Sequence, residues 1–263
     1  AIENTLLYSK TCNINGIVVI ACPWHRCFTL GSVADLYRGE QQKNVNWVLL
    51  QSLKYSNMDP EQGLLFFYNI ACQYSIHFQR QIGHWLPIDL DTDFAIVQFH
   101  IHGHKEDCLF RFLSMFIPQS GVIIGGILES LWANLNAVTP AMRMATLTHQ
   151  AEMLDNHICD SNHKKALNII RVLCKQYVLT NKWVADAEDI RDEIAECVSM
   201  KNIMAWTNAV VEAENTCHID LSVMDIYGMS ASYEDHPAVP AKDEPVDGEY
   251  QWICEAIEVQ ELQ

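Results

Sequence analysis

The run Gly63-Leu-Leu-Phe-Phe-Tyr68 constrains the fold of this chain more than any other segment. Leucine and aromatic residues without an intervening charge, opened by a glycine, predict a buried strand. The residues that follow, Ile70-Ala-Cys-Gln-Tyr-Ser-Ile-His-Phe-Gln-Arg80, predict a helix. Between the two stands Asn69. The place where a buried strand gives way to a helix is where α/β enzymes carry catalytic groups. An aspartate there would hold a cation, whereas an asparagine lends only a neutral carbonyl oxygen.

The rest of the chain supplies partners for that unit. Asn15 to Ala21 predicts a strand, and Cys27-Phe-Thr-Leu30 predicts its hairpin partner. Val45, Leu49 and Leu53 recur at helical spacing within Gln42–Tyr55. Phe94-Ala-Ile-Val-Gln-Phe99 predicts a further strand. From His104 onward the pattern is almost wholly helical. Ile124, Ile127, Leu128, Leu131, Trp132, Leu135 and Val138 mark one apolar face, and Thr139-Pro140 restarts a helix whose stripe runs Met144, Leu147, Ala151, Leu154, Ile158. Trp132, Trp183 and Trp206 are expected in the core. Early alternation followed by helices predicts an α/β or α+β fold. It divides into a core over 1–180, an acidic helical extension over 181–229, and an acidic, Pro-containing, disordered tail over 230–263.

Charge separates these parts. From Lys182 to Gln263 there are 19 acidic and 4 basic residues, a net of −15 out of −16 for the whole chain. Such a surface repels phosphate backbones, so DNA contact requires a local basic patch, for which Lys164 and Lys165 are the candidates. With 49% hydrophobic residues the chain is globular, yet no apolar run spans a bilayer, so no membrane partner is expected. It opens on Ala-Ile-Glu-Asn-Thr, with neither Met nor a signal-peptide pattern, and is read as a piece of a longer intracellular protein. The ten cysteines contain no C-x-x-C pair and are expected to be reduced thiols.

Several motifs then fall in order. Gly16-Ile-Val-Val-Ile-Ala-Cys-Pro-Trp-His25-Arg-Cys-Phe, with Gly31-Ser-Val-Ala-Asp35 and Gly39-Glu40, is similar to a C-x-R-H-G…D-x-x-x-G-E stretch. Tyr68-Asn69-Ile-Ala-Cys-Gln-Tyr74 matches Y-D-I-x-C-Q-[YW] except at Asn69. Phe99-His100-Ile-His102-Gly-His104 through Cys108 matches F-H-x-x-x-H-x-x-x-C. Phe116-Ile-Pro118 through Glu129-Ser-Leu-Trp132 is similar to F-x-P-G-x-G-x-x-D-G-E-x-x-E-x-x-W, and Leu154-Asp155-Asn-His157, Ser161-Asn162 and Lys164-Lys165 to L-D-D-H…N-x-K-K. Together, over about residues 8 to 180, these resemble the KDZ (Kyakuja-Dileera-Zisupton) transposases, most closely the cysteine-cluster-associated fungal type.

The resemblance implies the C-terminal part of an RNase H-like transposase core, acting on transposon-end DNA in the nucleus. It also implies an Asp-Asp-Glu site for two Mg²⁺ or Mn²⁺ ions. Two hard cations beside a phosphodiester need charged oxygen ligands. Here the second aspartate position is Asn69. The D-G-E triplet falls on Ile124-Gly125-Gly126, so Ile124 and Gly126 replace its carboxylates, and Glu129 survives near a helix start. The expectation is a degenerate, catalytically inactive transposase-like protein. The alternative is a non-enzymatic module retaining the fold to bind DNA or a protein partner.

Structural zinc is a separate matter. Cys22-x-x-His25-x-Cys27 has compact ligand spacing. His100, His102 and His104 alternate, sharing one face if that segment is extended, with Cys108 nearby, and His157, Cys159 and His163 form a third cluster. Packing and hydrogen bonding within the fold are the competing roles for all of these residues.

Overall fold

The computed structural model describes residues 13–88, 90–105, 107–118, 120–121, 123, 127–217, 220, 223 and 226. The triplet Ile124–Gly126 and the tail over 230–263 therefore lie outside the described residues. The architecture is α+β. β1 (Gly16–Cys22) and β2 (Cys27–Leu36) form an antiparallel hairpin whose register slips between Val19 and Ala21. β2 is longer than Cys27–Leu30, because pairing resumes beyond the slip and runs on to Gly16↔Leu36. α1 (Gln42–Ser56) packs on this hairpin through Val45, Val48, Leu49 and Ser52, the i, i+3, i+4, i+7 face of its sequence pattern. Gly31, with φ +66°, sits where an added Cβ would lie 2.5 Å from the Tyr55 ring, so only glycine fits between the hairpin and α1.

The second unit is a parallel crossover. β3 (Leu64–Phe67) pairs in parallel with β4 (Thr92–Ala95), and α2 (Ala71–Ile82) connects them. Phe66 is buried and its neighbours half-buried. The core is aromatic. Phe78 stacks edge-on against Phe94 at 4.8 Å, and Tyr74 contacts Phe66, Tyr68, Phe78 and Phe94. Phase alone explains the arrangement, since Ala71, Tyr74, Phe78 and Ile82 form the buried stripe of α2. A relay of polar groups crosses this core. Tyr74 Oη donates to Asn46 Oδ1 (2.6 Å), Asn46 Nδ2 to Gln81 Oε1 (2.9 Å), and Gln81 Nε2 to Gln42 Oε1 (2.9 Å), joining α1 to α2.

The strand expected over Phe94–Phe99 is displaced. Pairing with β3 ends at Phe67↔Ala95, Ile96 N donates instead to Phe112 O (2.7 Å), and α3 (Gln98–Ile101) begins at once. The histidine segment is thus a helical turn and loop, so the alternating His100, His102 and His104 do not share the face of an extended strand. α4 (Asp107–Phe112) follows, then α5 (Ile127–Asn136) and the short α6 (Thr139–Met142) with proline in its first turn.

Two long helices follow. α7 (Leu147–Cys197) has 51 residues with no glycine or proline, about 76 Å of helix by its rise per residue, and it passes position 180 without a break. Thr146 Oγ1 caps it by accepting from His149 N. α8 (Met200–Thr216) is capped in the same way by Ser199. Of the stripe Met144, Leu147, Ala151, Leu154, Ile158, only Leu154 is buried. Trp183 and Trp206 are not core residues either. Trp183, on the part of α7 beyond the hairpin, is 63% exposed, and Trp206, on α8, is 59% exposed. Trp132 is half-buried.

Candidate metal centre at the carboxyl end of the parallel pair

β3 and β4 run in the same direction, so the segments leaving them emerge at one edge. In open α/β sheets that carboxyl edge is where sites form. Asn69 lies in the exposed turn between β3 and α2. Cys72 is the second residue of α2, while His100 and His104 follow β4. Glu129, in the first turn of α5, brings its carboxylate to 3.6 Å from His100 Nε2. Asn69 and Glu129 supply one carboxylate between them, and both are exposed. Two hard divalent cations need a set of charged oxygens, and this donor set does not fit them.

A different set of donors does converge. Cys72 Sγ lies 3.4 Å from His104 Nδ1, and the ligand atoms of Cys72, His104 and Cys108 all fall within 4.8 Å of one another. Cys108, on α4, is 5% exposed, and the other two are half-buried. The sequence pattern points to His104 and Cys108. It does not point to Cys72, because the stretch between Cys72 and His104 is far longer than a ligand motif and is closed only by the β3–α2–β4 crossover. His100 stands apart from this group and faces Glu129.

The hairpin turn holds the other proposed cluster. Cys22 and Cys27 are direct partners across the strand ends, with His25 in the turn between them. Cys22 Sγ is 3.2 Å from His25 Nδ1, but Cys27 Sγ is turned to the His25 carbonyl oxygen at 3.3 Å. Burial pushes the Cys27 thiol up from its ordinary value, with the Lys165 ammonium opposing and Cys22 adding. Cys159 points to Asp155 Oδ1 (3.9 Å).

α7 is fastened to the same hairpin. Asn162 Nδ2 donates to Phe28 O (2.8 Å) while Asn162 Oδ1 accepts from Phe28 N (2.9 Å), so one side chain satisfies both backbone groups of a buried strand residue. Lys165 Nζ donates to Arg26 O and to Ser161 Oγ and lies over the Phe28 ring. Its burial, the largest influence, holds its pKa below the usual lysine value. Lys164 Nζ pairs with Asp160 at 2.7 Å on the exposed face. Thus Lys165 is engaged by the hairpin, and only Lys164 presents its ammonium to solvent.

The family model of the Kyakuja-Dileera-Zisupton (KDZ) transposase matches residues 2–162. The chain belongs to this family. No curated protein and no solved structure matches it. The motifs of this KDZ chain now acquire physical roles. Tyr74 is a core residue with Tyr68 packed half-buried against it, and Cys72 joins His104 and Cys108 across two separate motifs. Asn162 and Lys165 are anchors of α7 on the hairpin. Among the described residues, no helix of this KDZ chain is long and apolar enough to cross a membrane.

Proposed function

We propose that this KDZ chain is a transposon-derived transposase-like protein whose ancestral metal-dependent strand cleavage and transfer has been lost. Asn69 carries the proposal. It occupies the turn at the carboxyl end of β3, where the family motif has an aspartate, and it offers a neutral amide in an exposed position. Exchanging a ligating carboxylate for an amide removes charge that the two cations require. Ile124 and Gly126 take further carboxylates from the same motif set. The core is read as an RNase H-like domain, a reading supported by the parallel β3–α2–β4 unit, and its workplace as the nucleus, where transposon-end DNA resides.

The expected outcome with a labelled DNA duplex is no cleavage above background in Mg²⁺ or Mn²⁺. Metal-dependent cleavage that disappears on Glu129→Gln would overturn the reading. The second reading is a non-enzymatic binding module. Trp183 and Trp206, exposed on α7 and α8, favour a protein partner, whereas the acidic C-terminal part disfavours DNA. DNA binding through Lys164 would weaken as salt rises, which a titration at two ionic strengths detects.

A further inference from the structure

The Cys72, His104 and Cys108 side chains come from three separate places: the first turn of α2, the loop after α3 and the first turn of α4. We propose that they form a zinc site, distinct from the carboxylate site of the ancestral chemistry, that staples these segments at the carboxyl end of β3 and β4. Two thiolates and one imidazole are a soft donor set that zinc accepts and that magnesium and manganese do not favour. The geometry is near that of a loaded site. With ordinary zinc–sulfur and zinc–nitrogen bond lengths, a tetrahedral sulfur–nitrogen edge is about 3.6 Å. The Cys72 Sγ–His104 Nδ1 separation is 3.4 Å, and all three donors fit within 4.8 Å.

Burial favours the same conclusion. Cys108 faces the core, packed in the cluster that includes Ile96, Ile101 and Phe112, so its backbone fixes the sulfur without help from a metal. Cys72 is also packed against that cluster, in the first turn of α2, so its sulfur is held beside that of Cys108. His104 is positioned by its backbone, whose N–H donates to Ile101 O at 2.9 Å. The site is therefore preorganised at two sulfurs and closed by one loop histidine. The three donors leave one tetrahedral position for a fourth ligand. Bound zinc would tie the crossover unit to α4 and contribute directly to folding.

The test uses the full 263-residue chain, purified under reducing conditions and stripped of metal with a chelator. Zinc added back and dialysed should remain at one ion per chain. Cobalt added instead should give tetrahedral d–d bands with thiolate charge transfer. Cys72→Ser and Cys108→Ser should each weaken metal binding beyond the roughly 10–100-fold that loss of an outer-shell partner costs. The paired change Cys22→Ser with Cys27→Ser should leave the stoichiometry and the cobalt spectrum intact. His104→Cys, which keeps three zinc ligands in place, should retain the ion and shift the cobalt charge-transfer band to higher intensity. If a serine variant fails to fold, the His104→Cys spectrum still decides. Failure of the wild-type chain to retain zinc, an unchanged cobalt spectrum in His104→Cys, or loss of metal with Cys22 and Cys27 overturns the site.

Discussion

Asn162→Ala should detach the long helix from the hairpin and cost roughly 2–4 kcal/mol of stability. The residue makes two hydrogen bonds to one backbone unit, and Phe28, the residue it serves, is 4% exposed. Truncation strands a buried N–H and a buried carbonyl, each at about 1–3 kcal/mol, offset in part by water that enters the opened gap. Asn162→Asp separates the two bonds. A carboxylate still accepts from Phe28 N but faces Phe28 O with no proton to donate, so it should fall well short of the wild type. Lys165, one turn further along α7, cannot substitute, because its ammonium is committed to the Arg26 carbonyl on the neighbouring turn. Chemical denaturation gives the size of the loss, and hydrogen exchange at the Phe28 amide gives its location. If Asn162→Ala left that amide as protected as in the wild type, α7 would not be anchored there.

Alkaline pH should unfold the aromatic core. Burial raises the Tyr74 phenol well above its ordinary value. Burial, followed by the hydrogen bond to Glu40 Oε1 at 2.7 Å and the Glu40 charge, does the same for Tyr68. Both folded-state values lie above the unfolded value of about 10. The stability they contribute is therefore complete below about pH 10 and is lost as pH rises above it, because the unfolded chain then binds fewer protons. Tyr74 alone gives a slope of about 1.4 kcal/mol per pH unit in that range. Tyr68 is only half-buried and adds a smaller share, since solvent screens it. Tyrosinate absorbance and circular dichroism followed together should show exposed phenols ionising first and a late group ionising only as helix is lost. Tyr74→Phe should shrink the late group. A single ionisation step completed with the helical signal intact would contradict the packing around Tyr74.

The strand–turn–helix at residues 63 to 82 is legible in the sequence because period and burial agree there. Its apolar run is bounded by Gly63, and Ala71, Tyr74, Phe78 and Ile82 repeat at helical spacing. The hairpin and α1 are legible for the same reason. The Phe94–Phe99 strand is misplaced because an apolar run does not reveal where its partner ends, and β3 stops at Phe67. Trp183 and Trp206 mislead because an aromatic on a helix implies burial only if something packs against it. At the site, the identity of Asn69 is legible from the resemblance alone, while its exposure needs the fold. Cys72 is hidden by sequence distance, and so is Asn162, whose partner Phe28 lies 134 residues away. Long-range pairing of single side chains leaves no periodic trace.

In the proposed function, the two-cation site has been taken apart while the fold around it persists. Mn²⁺ binding measured by the loss of the free-ion paramagnetic signal tests it most directly, with zinc supplied in advance to satisfy the thiols. Weak, non-saturating uptake by the acidic C-terminal part, unchanged by Glu129→Gln, is the predicted result. Saturable binding of one or two Mn²⁺ ions per chain that Glu129→Gln abolishes would contradict it.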